Sequence, residues 1–182
     1  MKKFSSLVIL VIIFSSCTNV FLKKPPPEFA SDLYSIPQDF QGSFYMPDLD
    51  ADESLDSVSP EPNFIITDVS VNSDTINTGN LIVRSWGDYL FLNIKDSIDK
   101  WELLILYDDP SNDNSMITAR FLHTDVIDLT YFNDIDTIGT EDTLAAFYNN
   151  DVEYIIDNVN TLEFHYLLRM SSKTQFELIR LE

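Results

Sequence analysis

Asp48, Asp50 and Asp52 stand at the alternating spacing with which an oxygen-ligand calcium loop begins, so cation binding is the first chemistry to weigh. Such a loop needs a glycine at its sixth position to turn and a bidentate glutamate at its twelfth. Glu53 and Ser59 occupy those places, so the stretch reads as a solvated acidic loop that Asp56 and Glu61 extend. Histidine chemistry has only His123 and His165, far apart and without a His-x-x-x-His, Glu-x-x-His or cysteine companion; no metal site is expected. Nucleophilic catalysis needs a serine or cysteine held by a base in a shaped turn, and no Gly-x-Ser-x-Gly occurs. Glycines at 42, 79, 87 and 139 are too scattered for a phosphate-cradling loop. Glycoside hydrolysis needs only two carboxylates, a condition that 30 acidic residues meet trivially, so a hydrolase stays a distant third reading with no catalytic residue assigned. No cofactor is implied.

One constellation remains. Tyr89–Lys95 and Trp101–Tyr107 read as two strands around the turn Asp96–Lys100. Setting Lys95 opposite Trp101 places Asn93 against Leu103, Phe91 against Ile105 and Tyr89 against Tyr107 on one face. The other face then carries Ile94 with Glu102, Leu92 with Leu104 and Leu90 with Leu106. A half-exposed sheet would show one polar face, whereas both faces here call for cover. Tyr89, Phe91, Asn93, Trp101 and Tyr107 are therefore the candidate ligand-binding residues, lining an apolar cavity or stacking on sugars. The simpler reading, which we take, is that a C-terminal helix covers them as a second half of the core.

The elements around this hairpin are mostly strands. Phe64–Val71, Leu81–Ser85, Met116–Leu122, Val152–Ile156 and Gln175–Leu181 have β-branched or alternating composition between turn residues. Ile36–Gly42 reads as a turn feeding a strand through Tyr45. Asp125–Phe132 and Glu141–Tyr148 are short candidate helices. Thr161–Met170 alternates as a strand would, but Asn160 followed by Glu163 makes a capping box, so a helix is expected. The fold class is α+β: a curved, mainly antiparallel sheet of about seven strands, closing toward a barrel, with one or two short helices near the C-terminus.

The chain opens with Met1-Lys2-Lys3, an apolar run Leu7–Phe14, then Ser15-Ser16-Cys17. The run is much shorter than the roughly 20 apolar residues that span a bilayer, and it reads as a secretory signal. Phe14-Ser15-Ser16-Cys17 resembles the lipobox of bacterial lipoproteins, with Phe14 in the place usually held by Leu. That resemblance implies a signal peptide over 1–16 and acylation of Cys17, the only cysteine; plain signal cleavage and an uncleaved anchor helix are the alternatives. Thr18 rather than Asp follows Cys17, which for the resembled lipoproteins implies an outer-membrane site facing the periplasm. Residues 17–35 then read as a Pro-rich tether, Pro25-Pro26-Pro27 favouring extended polyproline geometry, with a single β-rich domain over 36–182. Ten such residues would reach roughly 30 Å, with Lys23 and Lys24 close to anionic head groups.

Two further resemblances bear on class. Trp86-Gly87-Asp88-Tyr89-Leu90-Phe91-Leu92-Asn93-Ile94-Lys95 and the strand led by Trp101 are similar to uncharacterised bacterial envelope lipoproteins with an aromatic-Phe-Leu-Asn-x-Lys strand, over roughly residues 36–181. Gly42-Ser43-Phe44 faintly resembles the Gly-x-Trp entry strand of lipocalin-type barrels. The first implies class and envelope location only, and carries over no activity.

Net charge is −19, and about −21 once Lys2 and Lys3 are removed. Such a surface repels phosphate backbones, which excludes nucleic acid as a partner. The expected function is a membrane-anchored, non-enzymatic interaction or accessory protein with an envelope protein partner. The alternative is a binding module for an apolar or carbohydrate ligand on a lipocalin-like sheet or barrel.

Overall fold

The computed structural model describes residues 20–46, 61–97, 100–108, 115–122, 127–138 and 153–181. Among them lie twelve strands: β1 (Val20–Leu22), β2 (Gly42–Tyr45), β3 (Phe64–Ile66), β4 (Ser70–Val71), β5 (Asp74–Thr75), β6 (Leu81–Trp86), β7 (Tyr89–Ser97), β8 (Lys100–Tyr107), β9 (Met116–Phe121), β10 (Ile135–Ile138), β11 (Glu153–Ile156) and β12 (Gln175–Leu181). The described α-helix is α1 (Thr161–Ser171). All the strands belong to one sheet, and its pairs are antiparallel except β1 with β11.

The β7–β8 hairpin is the centre of this sheet. Its register is the one that alternation predicts, running from Tyr89 opposite Tyr107 to Lys95 opposite Trp101, with an irregularity between Lys95 and Ser97. The preceding β6–β7 turn has two central residues, Gly87 and Asp88, and Gly87 sits at φ +59°, which a side chain would disfavour.

At β8 the sheet forks. One edge is paired by β7 along its length. The other edge is shared: Trp101 pairs with Leu22 of β1, and Leu104–Tyr107 pair with Phe121–Thr118 of β9. From the fork one wing runs β1-β11-β10 and the other β9-β12-β2-β3-β4-β5.

The longer wing curls back toward β6 around a core that includes Phe44, Phe64, Leu92, Leu104, Ile117 and Leu178. No ladder joins β5 to β6, so the sheet is open rather than a closed barrel. The chain between β1 and β2 spans the gap: Leu33 N–H donates to the Val83 carbonyl at 2.8 Å and Ile36 N–H to that of Asp68 at 2.7 Å. Fully burying a phenylalanine such as Phe44 or Phe64 stabilises by about 1.5–3 kcal/mol, and these side chains fill the curl.

The other face of the hairpin forms a second core. Phe91, Trp101 and Ile105 pack with Leu22 and Ile156 from the short wing and with Phe164 and Leu167 of α1. The helix starts as its capping box requires: Asn160 Oδ1 accepts from the N–H groups of Leu162 (2.9 Å) and Glu163 (3.1 Å), and the Glu163 carboxylate accepts from Asn160 N–H (2.9 Å). Glu163 is buried and also accepts from Asn133 Nδ2 at 3.0 Å, tying the helix to the loop before β10.

Four expectations need correction. Twelve strands replace about seven, partly because Phe64–Val71 breaks into β3 and β4. There the Thr67 hydroxyl accepts from Ser70 N–H at 3.0 Å and turns the chain. Barrel closure is replaced by the bridged gap. Within the candidate helix Asp125–Phe132, the described part holds one 3-10 turn, Leu129–Tyr131. Asp128 accepts from Thr130 N–H and hydroxyl, a local alternative to helix that also holds its carboxyl below the ordinary carboxylate range. Within the expected tether 17–35, the part described, from Val20 on, is not free: Val20–Leu22 is a buried strand, because three consecutive apolar residues find partners on both edges. Just after this strand, Lys23 and Lys24 bond Asp157 at 2.8 Å and Asn158 at 2.6 Å. The candidate helix Glu141–Tyr148, His123, Cys17 and the Asp48–Asp56 acidic run lie outside the described residues.

Candidate functional site

The five candidate ligand-binding residues share one face of the hairpin but not one environment. Phe91 and Trp101 are buried; Phe91 meets Phe164 of α1 edge-to-face at 5.2 Å, and Lys95 lies over the Trp101 ring at 5.6 Å. Asn93 is fully buried, its Nδ2 donating to the Ile82 carbonyl at 3.2 Å while Oδ1 meets no donor. Tyr89 and Tyr107 are half-buried. They stack at 5.0 Å, and the Arg120 guanidinium lies 5.7 and 5.5 Å from their ring centres. A cation beside two aromatic rings is favourable.

A second aromatic group was not anticipated from sequence. Phe29 meets Trp86 edge-to-face at 5.7 Å, Trp86 meets His165 of α1 at 5.0 Å, and Phe29 also touches Phe164 at 5.7 Å. Phe29 is 48% exposed, Trp86 40%, and Leu162, one turn before His165, 73%. Trp86 pairs with Tyr89, so this patch continues into the Tyr89–Tyr107–Arg120 row. The signal available in sequence was a tryptophan beside a Gly-Asp turn, where polar residues are the rule.

The fork in the sheet makes a third feature. Val20, Ile94, Glu102, Leu104, Phe121 and Leu122 surround a pocket of about 10 Å³, room for one water at most. Burial, with a smaller contribution from the Asp96 carboxylate, pushes the Glu102 pKa from the ordinary 4.5 to about 7. Among the described residues no cluster of three or more His, Cys, Asp or Glu is placed to hold a metal, and no helix is long and apolar enough to cross a membrane.

Comparison of the chain with protein-family models, curated proteins and solved structures finds no match.

Proposed function

We propose that this chain is an envelope lipoprotein, acylated at Cys17, held at the outer membrane on its periplasmic side, and acting as a non-enzymatic interaction module for an envelope protein. The observation that supports the interaction reading is the group Phe29, Trp86 and Leu162 around His165. These large apolar side chains are exposed together, next to a core that fills both faces of the hairpin. Contiguous apolar exposure of this kind marks contact surfaces. The lipobox resemblance of Phe14–Cys17 supports the anchor.

The anchor is tested by mass spectrometry of the mature protein: an acylated Cys17 at the N-terminus is expected, and an unmodified Cys17 or another start overturns it. The contact surface is tested with a photo-cross-linker at Trp86 in intact cells. One discrete adduct, lost in Leu162→Asp and retained when Tyr34 is replaced, is the expected result.

The stacked Tyr89–Tyr107 pair favours carbohydrate binding as the second reading. It requires a change of Trp86 fluorescence on titration with envelope oligosaccharides and a loss of that change in Tyr107→Ala. The protein-partner reading expects neither.

A further inference from the structure

Arg120 presents the end of its guanidinium to solvent with nothing accepting from it. The other two arginines on the strands are engaged: Arg84 holds Asp32 and two backbone carbonyls, and Arg180 donates to the carbonyls of Asp39 and Gln41. Arg120 has a covered Nε that meets no acceptor, while both Nη atoms are open and find none among the described residues. The Tyr89 and Tyr107 rings flank it, 5.7 and 5.5 Å from the guanidinium carbon. On the same face of the sheet, Gln175 of β12 stands directly opposite Arg120, and Thr118 stands opposite Tyr107. β12 is exposed at Gln175 and Glu177 and buried at Phe176 and Leu178, so this face is open to solvent here. Phe91 and Ile105, the neighbours toward β7, lie in the second core instead.

A guanidinium keeps its charge across the physiological pH range, and the paired N–H groups at its end match the two oxygens of a carboxylate. Half-buried aromatic rings beside it, with a hydroxyl and an amide on the same face, supply the apolar contact and convergent polar groups that orient a small ligand. We propose that Arg120, Tyr89, Tyr107, Thr118 and Gln175 bind an acidic sugar, its carboxylate taking both Nη donors and its hydroxyls reaching Thr118 and Gln175. This rests on the carbohydrate reading and narrows it to sugars that carry a carboxylate. The net charge of −19 opposes an anion at long range, but physiological salt screens charges over about 8 Å, so contacts decide. The flanking carboxylates are Glu177, opposite Thr118, and Asp88 and Asp108, next in sequence to the tyrosines; none of the three pairs with Arg120.

The full chain in a polyoxyethylene detergent is titrated by calorimetry with methyl β-glucuronide, with methyl β-glucoside, which replaces only the carboxylate, and with acetate. The glucuronide is expected to bind about tenfold or more tighter than either control, since a charged bidentate contact adds to those of the ring. Arg120→Gln should abolish that preference while keeping the parent's melt, and a preference that survives it rejects the inference. Equal binding of glucuronide and glucoside overturns the acidic preference and leaves the carbohydrate reading standing. Acetate binding equal to the glucuronide overturns the sugar and makes Arg120 a site for any carboxylate, a partner protein's included. No binding of any probe overturns both the inference and the carbohydrate reading. Should Arg120→Gln lose the native melt, the guanidinium NMR signals of Arg120 in the unsubstituted protein give the same answer. A shift with glucuronide and not with glucoside is then expected, and identical responses reject the inference.

Discussion

Arg84 holds Asp32 through a 2.7 Å bond from Nε to the carboxylate, and the same guanidinium donates to the carbonyls of Pro25 and Pro27. One side chain on β6 thus fastens the segment that carries Phe29 to the sheet. The two ends of the pair are unequal. Arg84 is mostly covered, and its loss strips a donor from two carbonyls, whereas Asp32 is largely exposed and contributes as a surface ion pair does. Arg84→Ala is expected to destabilise by about 2–4 kcal/mol and Asp32→Ala by less than about 1 kcal/mol. Chemical denaturation of both checks this; equal losses would place the stabilisation in the ion pair. Arg84→Lys should recover only part, since an ammonium lacks the planar fork of donors.

Truncations in the hairpin test whether both of its faces are core. Leu92 and Leu104 face the curled wing, and Phe91 and Trp101 face α1. Leu92→Ala and Leu104→Ala should each cost about 2–5 kcal/mol and Phe91→Ala and Trp101→Ala about 3–5 kcal/mol. Thermal melts decide it: near-native melts for the aromatic pair would mean that α1 is not a fixed cover.

The hairpin register and the start of α1 were legible because their determinants are local. Alternation over Tyr89–Tyr107 sets which side chains share a face, and Asn160 with Glu163 supplies both halves of the cap within four residues. The strand Gln175–Leu181 was legible for the same reason. β1 was not, since its partner β11 lies 134 residues further along and its three apolar residues sit just before a proline tract. The Phe29–Trp86–His165 patch was hidden likewise: it joins three segments, none of which is amphipathic by itself at that point. Local patterning supplied the class of fold, and long-range pairing decided where the surface is unusual.

Glu163 is the joint between helix and loop. Its carboxylate accepts from the backbone of Asn160 and from both the backbone and the side-chain amide of Asn133. Glu163→Ala removes the acceptor of these part-buried donors and is expected to cost about 1–3 kcal/mol, with Glu163→Gln costing less because its amide oxygen still accepts. Far-ultraviolet circular dichroism with urea titration measures both. An alanine variant as stable as the parent would show that water replaces the carboxylate at no cost.

Glu102 carries the pH dependence. Its pKa in the folded chain is raised from 4.5 to about 7, so folding favours its protonated form. Stabilisation is therefore full below the unfolded value, falls as the pH rises from 4.5 through about 7, and is gone above it. A raised pKa corresponds to about 1.4 kcal/mol for each pH unit between the two values, and partial solvent access at the fork reduces it, so a loss of about 2–3 kcal/mol across the window is expected. Glu102→Gln keeps the shape and cannot ionise. It should melt close to the parent at pH 5 and clearly higher at pH 8, flattening the profile between them. Asp96→Asn should move the fall in stability to lower pH, because the neighbouring carboxylate contributes part of the rise. Parent and Glu102→Gln melting curves with the same slope from pH 5 to 8 would assign the pH dependence to other carboxylates and leave the fork electrically silent.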